Sequence, residues 1–273
     1  MMNLQKIDRR WIFLFMLVGV MLPLIFPIGF KIEVMPNTKA VYDLIDSAKP
    51  GDRILMSFDF DPGSGPELSP VATAITRHAI EKDLKIVYLA LWPMGVNLGN
   101  LIYEKEKDNL IWGENFINLG YIAGGLVAIQ SMGRNFTEVF PTDANGNSIH
   151  NFPILKDVKN FSDFAFVVSI SAGTPGIKEW IMSAGDKYGL PVTGGTTAVS
   201  TPGFLPYVNT GQLHGIIGGL KQAAEYEMLI GQPGTATSGM DAQSIAHIII
   251  IIFIIIGNIA WYRNRKQQKE AKK

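Results

Sequence analysis

The chain contains no cysteine among its 273 residues. This absence excludes a disulfide framework, a thiolate metal site and a cysteine nucleophile. Histidine is also scarce, and the four present are widely separated, at His78, His150, His214 and His247. They do not have the spacing of a metal-ligating cluster, so no metal site is predicted. His214 is the best candidate for an acid or base, and helix capping or simple solvation is its alternative role.

Familiar catalytic and nucleotide-binding signatures are missing as well. No G-x-S-x-G elbow precedes a predicted helix, which argues against a serine hydrolase. The sequence SAGTPG at 171–176 places glycines and hydroxyls before a helix, where free N–H groups favour an anion. It nevertheless lacks the Lys-Ser/Thr of a P-loop and the full dinucleotide fingerprint. No cofactor is therefore predicted.

Basic stripes are absent from the long central segment, residues 31–242. This segment has 15 Lys and Arg against 22 Asp and Glu, a net charge of −7. An acidic surface without clustered cations argues against nucleic acid as a partner and against binding to anionic lipid headgroups.

Two long runs, 11–30 and 244–262, contain no charge and are strongly apolar. A helix that crosses a hydrocarbon core needs about 20 such residues, so both runs are predicted to be transmembrane helices in a lipid bilayer. Basic residues flank both runs: Lys6, Arg9 and Arg10 before the first, and Arg263, Arg265, Lys266, Lys269, Lys272 and Lys273 after the second. Because basic flanks stay inside, both termini are predicted to be cytoplasmic.

The resulting organisation has five parts: a cytoplasmic N-terminus 1–10, a transmembrane helix 11–30, an extracytoplasmic domain 31–242, a transmembrane helix 243–262 and a basic cytoplasmic tail 263–273. A cleaved signal peptide is the alternative for the first apolar run. The following residues, IGFKIEV, contain no small-x-small cleavage site, which favours an uncleaved anchor.

The extracytoplasmic segment alternates strand-like apolar runs with stretches of helical period, which predicts an α/β fold. The expected architecture is a Rossmann-like or flavodoxin-like three-layer sandwich with a mainly parallel sheet, flanked by the two transmembrane helices. Strands are predicted at 53–59, 85–91, 164–171 and 190–194, and helices at 38–48, 67–82, 94–107, 115–130, 176–188 and 215–230. Glu225, Tyr226 and Glu227 in the last of these helices are expected to be solvated.

In such folds ligands bind beyond the carboxyl ends of the strands. Three loops leave predicted strand ends there, at 59–66, 171–176 and 194–201. Their candidate ligand-binding residues are Asp59, Asp61, Ser64, Ser171, Gly173, Thr174, Gly194, Gly195, Thr196 and Thr197.

The sequence ILMSFDFDPGS, residues 54–64, resembles the first motif of haloacid dehalogenase-like phosphotransferases. The resemblance implies that Asp59 is the nucleophile, that Asp61 is the general acid, and that Mg²⁺ offsets the phosphate charge. A hydroxyl at the end of a later strand, Ser169 or Ser171, would bind the phosphoryl group. The chain departs from this family in having Pro62-Gly63 after the second aspartate and no acidic residue in the loop GGTTAVSTPG.

The alternative for the two aspartates is structural, because Asp at a strand end accepts N–H bonds within a tight turn. On this interpretation the protein is a non-catalytic assembly subunit of a membrane complex, with further copies of itself or other membrane subunits as partners. A domain anchored at both ends fits that role. The other hypotheses are an extracytoplasmic ligand-binding or sensor domain, and a metal-dependent phosphohydrolase that uses Asp59 and Asp61.

Overall fold

The computed structural model of the chain describes residues 8–270, without the side chains of residue 264 and residues 266–270. The predicted basic flank at Lys6 and much of the predicted basic tail therefore lie outside the described residues and side chains. The chain divides into two compact units. The helix-pair unit comprises Met1–Lys31 and Thr237–Lys273, and the α/β unit comprises Ile32–Ala236.

The described secondary structure alternates helices and strands, as the sequence predicts, although residues 216–218 of the predicted helix 215–230 form a strand. In chain order the elements are α1 (Arg9–Ile25), α2 (Pro36–Asp46), β1 (Arg53–Asp59), α3 (Gly65–Glu81), β2 (Lys85–Ala90), α4 (Gly95–Glu106), β3 (Phe116–Tyr121), α5 (Leu126–Met132), α6 (Phe136–Val139), β4 (Phe166–Ser171), α7 (Ile177–Trp180), α8 (Asp186–Tyr188), β5 (Val192–Thr196), α9 (Leu205–Asn209), β6 (Ile216–Gly218), α10 (Gly219–Leu229) and α11 (Thr235–Glu270).

The six strands form one sheet in the order β3-β2-β1-β4-β5-β6, and every neighbouring pair is parallel. This confirms the predicted three-layer α/β fold, and the order is that of Rossmann-like rather than flavodoxin-like sheets. Helices α2, α3, α4 and α10 form one layer, while α5 contacts both α6 and α7 in the other. The central strands are apolar on both sides because both of their faces are covered by helices.

The predicted helix 115–130 is wrong, because its first half is strand β3 and its second half enters α5. The apolar residues of β3 are buried in the sheet, where they pair with β2. Gly124 and Gly125 both have positive φ angles, so no α-helix continues through them. A continuous apolar run has the same composition in a buried strand and in a buried helix, which explains the error.

The expectation that Glu225, Tyr226 and Glu227 are solvated is also wrong, since all three are buried in α10. The Glu225 carboxylate accepts hydrogen bonds from the Met35 N–H and the Thr38 hydroxyl, at 2.9 and 2.7 Å. The Tyr226 hydroxyl lies 2.7 Å from Nδ1 of the buried His78. Packing by distant segments of the chain, which helical periodicity does not reveal, removes this face of α10 from solvent.

Glu227 holds the C-terminal end of the α/β unit. Its carboxylate accepts hydrogen bonds from the N–H groups of Gly234 and Ala236, at 2.9 and 3.0 Å. The segments where the chain enters and leaves the α/β unit are thus both held by the C-terminal half of α10. This helix begins directly after β6.

In the helix-pair unit, α1 and α11 pack against each other in antiparallel directions. Phe15 contacts Phe253, with ring centroids 6.4 Å apart, and Gly19 lies against Ile249. Later residues of α1 therefore contact earlier residues of α11, as in any antiparallel pair of helices. Beyond α1, the N–H groups of residues 28–30 donate to the Asp241 carboxylate at 2.8–3.1 Å. This carboxylate fixes the non-helical segment that follows α1.

One helical stretch among the described residues, Thr235–Arg263, is long and apolar enough to cross a membrane. Helix α1 ends at Ile25 after 17 residues, about 26 Å, which is short of a hydrocarbon core of about 30 Å. It ends there because Pro27 disfavours the helical conformation at Phe26, where φ is −126° and ψ is 88°. The predicted helix 11–30 is therefore too long at its C-terminal end, and a second transmembrane helix remains a prediction.

Candidate functional site

The point where strand order reverses lies between β1 and β4, at the centre of the sheet. Asp59 and Ser171, the last residues of these two strands, are direct partners in the parallel register. After them the chain turns to opposite faces, towards α3 and towards α7, which is the arrangement that opens a crevice in Rossmann-like folds. The structure thus brings together the loops 59–66 and 171–176, and the third loop, 194–201, adjoins them through the Thr196 hydroxyl, which donates to the Ser171 carbonyl.

Asp59 is completely buried, and its carboxylate points into the protein. One oxygen accepts a hydrogen bond from the Ser57 hydroxyl at 2.6 Å, and the other accepts from the Leu91 N–H at 2.6 Å. Leu91 follows β2, so the carboxylate ties the end of β1 to the end of its neighbour. Both oxygens are occupied by internal partners.

Burial raises the pKa of Asp59 to about 7, against the opposing effect of hydrogen bonds from Ser57, Leu91 and Trp92. The negative charge of Glu179 acts in the same direction as burial. Burial, with a contribution from the Asp59 charge, also raises the pKa of the Tyr88 hydroxyl well above its usual value. This pair of acidic groups belongs to the core beneath the crevice rather than to its surface.

Asp61 lies in the exposed turn that leads into α3. Its carboxylate accepts a hydrogen bond from the Ser64 N–H at 2.9 Å, and this interaction lowers the pKa of Asp61. Glu67, in the first turn of α3, accepts from the Ala198 N–H at 2.8 Å. Two carboxylates therefore occupy the positive end of this helix, where a phosphate would otherwise be favoured.

The loop after β4 is closed by its own hydrogen bonds. The Ser171 hydroxyl donates to the Gly173 carbonyl at 2.8 Å, and the Gly176 N–H donates to Glu179 at 2.7 Å. Thr174 is exposed beside Pro175, whose carbonyl accepts from the Trp92 indole at 2.9 Å. As at α3, a glutamate accepts an N–H group, here that of Gly176, which SAGTPG would otherwise offer to an anion.

The predicted residues of the third loop divide between strand and surface. Gly194 and Gly195 lie inside β5, and a Cβ atom on Gly194 would be 1.8 Å from the Ser169 carbonyl oxygen. The buried Thr196 hydroxyl donates to the Ser171 carbonyl at 2.9 Å, which links β5 to β4. Thr197 is half-buried and donates to the Ser200 hydroxyl at 3.0 Å. The two glycines are therefore needed for close strand packing.

His214 is not brought to this site. It is exposed, and its N–H donates to the carbonyl of Val192, the first residue of β5, at the opposite edge of the sheet. Ser169, the alternative phosphoryl-binding residue, is fully buried, and its hydroxyl has no hydrogen-bond partner among the described residues. Within residues 8–270, no group of three His, Asp or Glu side chains is arranged to hold a metal ion.

Sequence reasoning missed the exposed apolar surface at the carboxyl edge. Five large apolar side chains are exposed at or just beyond strand ends in this region: Met94, Tyr121, Val127, Val199 and Leu205. Val199 is 90% exposed, so it makes almost no contact within the chain. The sequence could have indicated this surface through its lack of charge. Asp61 is the one charged residue in the five connections that follow the strands, 60–64, 91–94, 122–125, 172–176 and 197–204.

Comparison of the chain with protein-family models, with curated proteins and with solved structures gives no match.

Proposed function

We propose that the protein is a non-catalytic assembly subunit of a membrane complex, in which the carboxyl edge of the α/β unit docks against another protein subunit. The observation that carries this proposal is the set of exposed apolar side chains on connections that contain a single charged residue. Apolar surface that is shared by adjacent loops and depleted of charge is typical of the centre of a protein–protein interface.

The side chains at the crevice support docking over phosphate chemistry. The Asp59 carboxylate is fully buried and occupied, and Asp61, Glu67 and Glu179 place further negative charge near the helix starts. None of the five connections at this edge contains Lys or Arg. A phosphate ester would meet negative charge without a compensating cation, which is unfavourable.

The anchors of this subunit are proposed to be α1 and α11, both within the bilayer. Antiparallel packing of α1 along α11 supports this arrangement, because it places one apolar helix beside the other. Basic residues on the outer flanks of both helices favour cytoplasmic termini and an extracytoplasmic α/β unit.

The orientation has a direct test, because the chain contains no native thiol. Lys156→Cys, at an exposed position of the α/β unit, should react with a membrane-impermeant maleimide on intact cells. Lys272→Cys, in the predicted cytoplasmic tail, should react only after the membrane is opened. The reverse pattern, or labelling of both on intact cells, would contradict the proposed orientation.

The assembly role is tested by the native mass of the full-length chain in mild detergent, with every co-purifying chain identified. The expected result is a defined complex well above the 30.0 kDa of one chain. A monodisperse monomer would overturn the proposal. Co-purification of a small molecule with a monomer would favour the ligand-binding or sensor hypothesis, and metal-dependent hydrolysis of phosphate esters that is lost in Asp59→Asn would favour the enzyme.

A further inference from the structure

A cavity of about 390 Å³ opens beside the edge strand β3, away from the crevice between β1 and β4. Its lining consists of Asn100, Tyr103 and Glu104 from α4, Trp112 from the following loop, and Asn145 from the turn 142–148. Volumes of about 300–1,000 Å³ are usual for small-molecule sites. The lining combines two aromatic rings with two carboxamides and one carboxylate, and it contains no basic side chain.

The Trp112 ring is held in a fixed orientation. Its indole N–H donates to the buried Asp143 carboxylate at 3.0 Å, and Asp143 also accepts from the N–H groups of Asn145 and Asn147. The same carboxylate therefore fixes both the ring and the turn that bears Asn145. No rearrangement of these two parts is needed before a ligand binds, which reduces the entropic cost of binding.

The Asn100 carboxamide is oriented by a buried neighbour. The Asn118 side chain donates to Asn100 Oδ1 at 2.8 Å and to the Val96 carbonyl at 3.2 Å, while its own oxygen accepts from the Gly120 N–H. The Asn100 oxygen is thus directed to the protein, which leaves its NH₂ group as a donor for the cavity. Glu104 supplies an acceptor, although it also pairs with Lys107 at 3.7 Å.

The two rings exclude several classes of ligand. Tyr103 and Trp112 meet nearly at right angles, 86°, with centroids 5.1 Å apart, so no slot between parallel rings is present for a flat base. The lining carboxylate and the lack of a cation disfavour an anion. A pyranose ring fits what remains, because its C–H face packs on an aromatic ring and its hydroxyls both donate and accept hydrogen bonds.

We propose that this cavity is a binding site for a neutral saccharide, which stacks on Trp112 and is hydrogen-bonded by Asn100, Glu104 and Asn145. The inference is independent of the assembly role, because the carboxyl-edge residues that carry that role do not line this cavity. The polar side chains of Asn100, Glu104 and Asn145 offer both donors and acceptors, which suits a ligand that bears several hydroxyls.

The test uses the full-length chain in a polyoxyethylene detergent, because the headgroup of a maltoside or glucoside would compete for the site. Maltotriose, cellotriose and triacetylchitotriose are titrated separately by calorimetry at millimolar concentrations, and contacts are mapped by saturation-transfer NMR. The expected result is saturable binding of at least one trisaccharide, weakened about tenfold by Asn145→Ala, a loss of 1.4 kcal/mol at 25 °C.

The control is Asn151→Ala, an exposed asparagine that lies, like Asn145, between α6 and β4 but does not line the cavity, and this variant should bind as the parent does. Trp112→Leu should abolish binding by removing the stacking surface. If that variant does not fold, Asn145→Ala decides the matter, because its side chain is exposed on a surface turn. Absence of binding by all three trisaccharides, or binding unchanged in Asn145→Ala, would overturn the proposal.

Discussion

The two edges of the parallel sheet differ in how they meet solvent. At the amino edge, the six connections 47–52, 82–84, 107–115, 140–165, 189–191 and 210–215 contain twelve charged residues, none of them in the last two connections. At the carboxyl edge, five connections together contain one, Asp61. The amino edge thus has the composition of solvated surface, while the carboxyl edge has the composition of surface that becomes covered.

Two aspartates that look alike in sequence have different structural roles at the two edges. Asp52, before β1, accepts the Lys49 N–H at 2.9 Å in an exposed turn. Asp59, after β1, is fully buried and joins two strands. The carboxyl edge of this Rossmann-like sheet is therefore stabilised by the residue type that many enzymes expose there for chemistry.

Asp59→Ala should have the largest effect on the fold. It leaves the buried N–H groups of Leu91 and Trp92 without their acceptor, and each unsatisfied group costs about 1–3 kcal/mol, so the free energy of unfolding should fall by about 3 kcal/mol. Urea denaturation of the full-length protein measures the change. Asp52→Ala is the matched variant at the amino edge and should cost less than about 1 kcal/mol; equal losses would remove the distinction between the two aspartates.

Gly194→Ala should have the next largest effect on the free energy of unfolding, and it distinguishes a glycine packed inside β5 from one in the loop that follows. An added Cβ would meet the Ser169 backbone oxygen at 1.8 Å, so β4 and β5 must separate, at a cost of about 2 kcal/mol. Gly203→Ala, in the loop that follows, has nothing within 4 Å of the new Cβ and should leave the unfolding midpoint unchanged. A neutral Gly194→Ala would mean that this glycine serves something other than packing.

The pH dependence of stability should reveal the buried Asp59 at a smaller scale. Its pKa is about 7 in the folded protein against 3.8 for an ordinary Asp, so the folded state binds the proton more tightly. The stabilising contribution is complete below pH 3.8 and is lost as pH rises to about 7, with a slope of at most about 1.4 kcal/mol per pH unit.

Comparison with Asp59→Asn isolates this slope from other titrating groups, notably His78, whose pKa burial lowers. The difference in unfolding free energy between parent and variant should change across that interval and level off above about pH 7. A difference that does not change with pH would mean that folding does not shift the pKa of Asp59.

The sequence predicted the centre of this fold better than its margins. β1 and β4 are recognisable because each is a short apolar run that ends at a polar residue, Asp59 or Ser171, before a turn rich in glycine and proline. Parallel strands end at one edge, so the meeting of these two residues follows from the fold class. Which oxygen of Asp59 accepts which hydrogen bond does not, because Leu91 is 32 residues away.

The errors lie where distant segments decide burial. Residues 115–130 have the composition of a buried helix or a buried strand, and only pairing of β3 with β2 selects the strand. Glu225 and Glu227 have the composition of a solvated helix face, but Glu225 accepts the N–H of Met35, which is 190 residues away, and Glu227 accepts that of Gly234, which lies beyond the end of the helix. No local pattern reports either contact.

The contrast between the edges should be tested most finely by adding a charge to each. Val199→Asp places a carboxylate at the apolar carboxyl edge, in the connection after β5 and at a side chain that is 90% exposed, whereas Ile111→Asp places one at the amino edge, at a side chain that is 57% exposed. Both should alter the unfolding free energy by no more than about 0.5 kcal/mol, because neither position is buried. Only Val199→Asp should reduce the native mass of the complex in detergent, since a charge desolvated at an interface core opposes binding. If both variants keep the parent mass, the carboxyl edge is not the docking surface. If Ile111→Asp alone dissociates the complex, the docking surface lies at the charged amino edge. The lack of charge at the carboxyl edge would then need another explanation.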